Sequence, residues 1–229
     1  MVTALDDRPA TPATVLGAHH PVGASTGYLR DAGDWPAQAR AAAAVSPFAA
    51  ELAALSLPEF AGLEAWLHTL PPLPFRYLSV HAPTKGLDGD EAGLVARLAA
   101  LPAAVRSIVV HPDVIVDPAA YGRIGSRLVL ENMDTRKAFG QSADDLAELF
   151  AVLPEAGFCL DVAHVSAVDP TMELAHELLD RFGPRLRQLH VSSLVDGEHA
   201  SLTADDAERF QPVLRRCVDV PWVLEAPAA

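Results

Sequence analysis

The chain has 229 residues, ample for one core. Half the residues are hydrophobic, yet no apolar run reaches bilayer length and the N-terminus lacks a basic region leading into an apolar one, so the expectation is a cytoplasmic protein without a membrane span. A formal charge of −13 argues against a broad nucleic-acid partner, and two cysteines, Cys159 and Cys217, read as reduced core thiols.

In chain order, a first strand falls within Val15 to Tyr28, leaving residues 1–20 as an extra N-terminal segment to a single domain spanning 1–229. Asp34 caps an Ala-rich helix from Pro36 to Val45. Pro47 to Leu55 reads as a short strand carrying Glu51, and Pro58 to Leu70 as a helix with Phe60, Leu63, Trp66 and Leu67 on one side. A strand over Phe75 to His81 follows, then a helix over Asp90 to Leu101, a strand over Val105 to His111 and a short helix over Pro118 to Ile124. Arg127 to Asn132 is a strand, and Ser142 with Asp145 boxes a helix to Leu153. Phe158 to Ala163 is a strand, Pro170 to Phe182 a helix, Leu186 to Ser192 a strand, and Thr203 caps a helix to Cys217. Trp222 to Ala226 is the last strand. Eight strands alternating with seven helices predict an α/β fold, a (β/α)8 barrel lacking its eighth helix. A doubly wound open sheet is the alternative, without a Gly-x-Gly-x-x-Gly turn to support it. The wall left open is expected to be covered by the segment before His20 or by a second subunit of a homo-oligomer.

The strands end in residues that bind metal or move protons. YLSVHAP ends in His81, IVVHPD in His111, LVLENMD in Glu131, FCLDVAHV in Asp161 and His164, LRQLHVSS in His190, and PWVLEAP in Glu225. Such groups are costly to bury singly. Their recurrence at successive strand tips predicts one shared site at the C-terminal face of the barrel, where such enzymes carry their chemistry. A lone histidine at a strand end is more often structural, and only the joint pattern lifts these above that reading. His19 and His20 fall outside the pattern and read as loop residues; His68 and His176 fall on helices and read as surface. On the loop after strand five, Arg136 and Lys137 are candidates for an anionic substrate group, as is Lys85 after His81, while Asn132 is a candidate substrate or ligand-orienting contact.

With these residues in place, the sequence resembles the xylose-isomerase-like barrel superfamily, which holds sugar isomerases and epimerases and endonuclease-IV-like proteins, from about Gly23 to Pro227. The resemblance to the epimerase branch implies one divalent ion on Glu131, Asp161, His190 and Glu225. The Asp-x-x-His after strand six, Asp161 and His164, matches as well, and the resemblance to the endonuclease-like branch implies further ligands, namely His81, His111 and His199. Two departures stand out. The position two before His199 is Gly197 where that branch has an acid, and Val191 to Leu202 holds none of the arginine usual in the epimerase branch.

Carboxylate and imidazole donors suit zinc or manganese, one to three ions. With one ion, Glu131 and Glu225 would be the catalytic pair, one removing and one returning a proton beside a carbonyl. With more, the same acids become bridging ligands of a hydrolase or phosphodiesterase. The expectation places the isomerase or epimerase first and the multi-metal zinc hydrolase second, with a small molecule, a sugar or phosphorylated compound, as substrate.

Overall fold

The structure is a computed structural model that describes residues 15–17, 21–87 and 89–228. The histidines at 19 and 20 lie outside the described residues. Eight parallel strands close into a barrel: β1 (Val22–Ser25), β2 (Ala49–Ala53), β3 (Tyr77–His81), β4 (Ser107–Val110), β5 (Leu128–Glu131), β6 (Gly157–Asp161), β7 (Leu186–Val191) and, after an inserted hairpin β8 (Ser193–Val195) and β9 (Glu198–Ala200), β10 (Trp222–Leu224). β10 pairs with both β7 and β1, which shuts the barrel.

The helices are α1 (Trp35–Val45), α2 (Leu57–Leu67), α3 (Glu91–Ala99), α4 (Pro118–Tyr121), α5 (Ala143–Val152), α6 (Val162–Val168), α7 (Glu173–Phe182) and α8 (Ala204–Leu214). Among the described residues no helix follows β10. Helix starts are fixed by side-chain caps: Asp34 accepts from the Ala37 amide, Ser142 and Asp145 form a reciprocal box, and Thr203 accepts from the Asp206 amide. Two expectations change. The stretch after Asp161 is not a continuation of β6 but the first turn of α6, because the Asp161 carboxylate caps the His164 amide. The segment carrying His199 is not an irregular loop but the antiparallel hairpin β8–β9. No helix among the described residues is long and apolar enough to cross a membrane.

Side chains alternate across each strand, and the two faces of this barrel differ sharply. One set, including Leu52, Leu78, Val80, Ile108, Leu128, Leu130, Phe158, Leu160 and Leu189, joins Phe60, Leu98, Phe150, Leu178 and Phe210 from the helices in one continuous core. The other set faces the lumen and is mostly polar: Glu51, Ser79, His81, Ser107, Glu131, Asp161, Gln188 and His190 are all buried. Val109, Val129 and Cys159 form a separate, small apolar cluster. So the strands are not apolar on both faces, as their composition suggests; the lumen face is mostly polar. The strand register keeps this set in phase, pairing Glu51 with Ser79, His81 with Val109 and Asp161 with His190.

One irregularity sets that phase. Between β6 and β7, Phe158 pairs with Leu186 but Cys159 pairs with Gln188, so exposed Arg187 is an extra residue on β7. A one-residue shift exchanges the faces of a strand. The bulge is what turns Gln188 and His190 into the lumen.

Candidate metal centre

His81 is the last residue of β3 and His111 follows β4, so neighbouring strands present their imidazoles side by side. Their Nε2 atoms lie 3.1 Å apart, and each is 3.4 Å from Oε2 of Glu131 at the end of β5. Four donors at about 2.0–2.1 Å from a tetrahedral ion stand about 3.3 Å from one another. The His81–His111–Glu131 triangle has that size. His81 Nδ1 donates to the Ala82 carbonyl 2.9 Å away, which leaves Nε2 free to ligate.

The other oxygen of Glu131 faces a second set. Oε1 lies 3.2 Å from His190 Nδ1 and 3.3 Å from His164 Nδ1. His190 Nδ1 is also 3.4 Å from Glu225 Oε1 and 4.0 Å from Asp161 Oδ2. A third grouping joins Asp161, His164 and His199. His164 Nδ1 lies 3.0 Å from the Asn132 carbonyl, and its Nε2 faces Asp134 Oδ2 at 3.6 Å. His199 Nδ1 sits 2.8 Å from Ser192 Oγ and 3.3 Å from Glu225 Oε2. All eight residues expected to ligate therefore converge.

Their electrostatics ask for cations. Glu131 Oε2, Asp161 Oδ2 and Glu225 Oε2 are buried without a hydrogen-bond partner. A carboxylate taken out of water costs several kcal/mol unless a cation offsets it. Burial opposes the charge on Glu131, but His190 and His111 outweigh it and hold the carboxyl well below the usual range. Glu225 goes the other way: burial, with Asp161 and Glu131 nearby, pushes its carboxyl well above the usual range. Burial depresses His164 less than Asp161 and Glu131 raise it, leaving it up at about 10. His81 and His111 split: burial lowers both, Glu131 and Glu51 bring His81 back above the ordinary value, and His111 stays below it.

The centre opens into a cavity of about 700 Å³. Around it stand Arg30, Lys85, Arg136 and Lys137. Arg136 is paired with Asp134, Lys137 with Asp113 at 2.8 Å, and Arg30 with Glu59 at 3.2 Å. Lys85 is exposed and has no ion pair among the described residues. Asn132, a substrate-contact candidate by sequence, is not at the cavity wall. Its amide nitrogen donates to the Asp161 carbonyl at 3.0 Å and its side-chain oxygen accepts from the Asp161 amide at 2.9 Å, so it straps β5 to β6. Two buried acids near the centre stand outside the strand-tip pattern: Asp134, and Glu51, which lies one layer deeper against His190.

No protein-family model matches the chain, and no curated protein matches it in sequence. Solved structures do match in shape. Endonuclease IV from Thermus thermophilus superposes with a TM-score of 0.55 at 22% identity, over 83% of this chain and 87% of that one. D-allulose 3-epimerase from Methylomonas sp. gives 0.56 at 17% identity, over 90% and 84%. The 3-keto-D-glucoside 4-epimerase of E. coli gives 0.54 at 14% identity, over 91% of both chains. The closed eight-stranded parallel barrel is the fold this chain shares with them. In this chain, histidines from β3, β4 and the β8–β9 hairpin stand beside the acids at the ends of β5, β6 and β10.

Proposed function

We propose that the chain is a metal-dependent hydrolase of a small anionic ester, with a phosphate ester the substrate class that suits its cavity. The observation that carries the reading is Glu131, one oxygen of which faces His81 and His111 while the other faces His190 and His164. A carboxylate divided in this way would serve ions on both sides, one oxygen for each pair of histidines. An isomerase that works with one ion has no use for His81 and His111 as ligands, so the order of preference taken from the sequence is reversed.

His81, His111 and Glu131 would hold one ion, and Glu131, Asp161 and His190 a second, with Glu225 3.4 Å from His190 beside them; His164 and His199 with Asp161 are the donors for a third. Divalent ions there supply Lewis acidity at a phosphoryl oxygen and lower the pKa of water toward about 7. The chain's own residues do the rest. Lys85 meets the anionic end of the substrate at the cavity mouth, with Arg136 and Lys137 held beside it by Asp134 and Asp113. Glu225, whose side chain is 12% exposed against 1% for Glu131, is the acid placed to exchange a proton with water in the cavity.

The test is a metal count on protein saturated with zinc or manganese, alongside assays of bis(4-nitrophenyl) phosphate hydrolysis and ketose epimerisation. Two or more ions per chain and ester hydrolysis are expected, with the His81→Ala, His111→Ala double variant losing one ion and the hydrolysis. One ion at saturation together with epimerisation of a ketose would overturn the hydrolase and establish the isomerase.

A further inference from the structure

We infer that Glu51 is a positioning residue for the metal centre: from the layer beneath, its carboxylate fixes the ring and tautomer of His190 so that Nδ1 is the ligating nitrogen. The inference rests on His190 being a ligand and not on the hydrolytic reading.

Glu51 sits in the middle of β2 and is fully buried. A single oxygen, Oε2, meets Gln188 Nε2 at 2.7 Å, Ser79 Oγ at 3.0 Å and His190 Nε2 at 3.1 Å. Gln188 is itself anchored, its Oε1 accepting from Tyr77 at 2.8 Å, and Tyr77 lies 2.7 Å from Ser107 Oγ. Four strands, β2, β3, β4 and β7, thus contribute to one buried polar layer below the ligands. The two ring nitrogens of His190 part between layers. Nε2 faces Glu51, while Nδ1 faces Glu131, Glu225 and Asp161.

An imidazole ligates only through a nitrogen without a proton, and the bond made by its other nitrogen decides which that is. A proton on Nε2 donated to Glu51 leaves Nδ1 bare among the three acids of the centre. The reverse tautomer would set the unprotonated Nε2 against the Glu51 carboxylate. Gln188 Nε2 also approaches His190 Nε2, at 3.0 Å, but its shorter contact is the one it donates to Glu51. Packing gives no reason for a carboxylate at this depth, since an ion there costs several kcal/mol that an apolar side chain would not. Glu51 also stands with His190 and Glu225 in a grouping that would hold an ion, its Oε1 buried without a hydrogen-bond partner, so the ion count separates a ligand from a positioning residue.

Glu51→Gln and Glu51→Leu test this on the metal-loaded protein. The readouts are ions per chain at saturation, the affinity of each ion by competition with a chromophoric chelator, and the ring 15N shifts of His190. The inference predicts an unchanged count at saturation and a proton on Nε2 in the parent protein. It predicts one ion weakened by roughly ten- to a hundredfold, more in Leu than in Gln, which still accepts a hydrogen bond. The ion on His81 and His111 should keep its affinity. Parent-like affinity for every ion in both variants would overturn it, as would Nδ1–H in the loaded parent. Loss of an ion from the Gln variant even at saturation would make Glu51 a ligand instead. Should the Leu variant fail to fold, the isosteric Gln variant carries the comparison alone. A parent protein that binds no ion would sink the metal centre itself, a failure read before any variant is made.

Discussion

Glu131 is the side chain on which the centre turns. Its two oxygens each serve two histidines, and replacing one oxygen by an amide nitrogen removes an acceptor from one set and the charge from both. Glu131→Gln is expected to lower metal content and to reduce turnover on the order of a hundredfold or more, the scale of several kcal/mol of lost charge stabilisation. The fold should survive, because Glu131 takes no part in the apolar core. Metal analysis, steady-state kinetics and circular dichroism on one preparation check all three; parent-like metal content would refute the bridging role. At this scale His81, His111, Glu131, Asp161, His190 and Glu225 could be read as one group because each stands at or beside the end of an apolar barrel strand, where a His, Asp or Glu stands out. Glu51 was read on a strand, where the structure has it, but its direction was not legible, since a lone acid among alanines shows no alternation to separate pocket from surface. Asp134 left no trace at all: it reaches His164 from a loop, and loops carry no periodicity to betray direction.

Among the elements, the hairpin β8–β9 was the least legible although its signal was present. Asp196 and Gly197 make a two-residue turn between Val195 and Glu198, with φ of 52° and 83°. Asp-Gly is a strong marker of such a turn, because both positions need left-handed backbone. The hairpin matters because His199 is carried on it, opposite Leu194. Gly197 is constrained a second time: a Cβ there would stand 3.0 Å from a terminal nitrogen of Arg136. Gly197→Ala should therefore cost about 1–2 kcal/mol for the backbone alone and disturb Arg136 and His199 together. Urea unfolding measures the first, and a raised KM for an anionic substrate, with kcat less affected, measures the second. An unchanged KM would show that the hairpin does not hold Arg136 in a working position. The bulge at Arg187 had no sequence signal, for Leu186 to Val191 reads as an uninterrupted strand. α6 was hidden for a related reason: a valine and an alanine after Asp161 extend the strand pattern, and only the capping carboxylate ends it.

For the whole molecule, the barrel and its open C-terminal face were read correctly from alternating strands and helices, while the polar lumen was not, since composition averages the two faces. That lumen couples stability to metal. Ions bound at a hundred times their dissociation constant should add about 2.7 kcal/mol, or roughly 5–10 °C in melting temperature for a chain of this size. The pH dependence has a definite sign. In chelated protein His164 stands at about 10 against 6.5 when unfolded, so its stabilising contribution is complete below 6.5 and drains away as the pH rises toward 10. Glu225, raised above the usual carboxyl range, works in the same direction by opposing ionisation in the fold. Melting curves from pH 6 to 10 should show the chelated protein weakening and the gap to the loaded protein widening; a constant gap would contradict the proton on His164.

The separation of the barrel's two faces has an evolutionary corollary. Apolar contacts that drive folding lie outside the strands, and nearly every residue with chemistry lies inside, on alternate positions of the same segments. Substitutions therefore sort by parity: one register of each strand answers to folding, the other to catalysis. A lineage can exchange donors in the lumen, and with them its reaction, while the folding code beside each donor stays untouched.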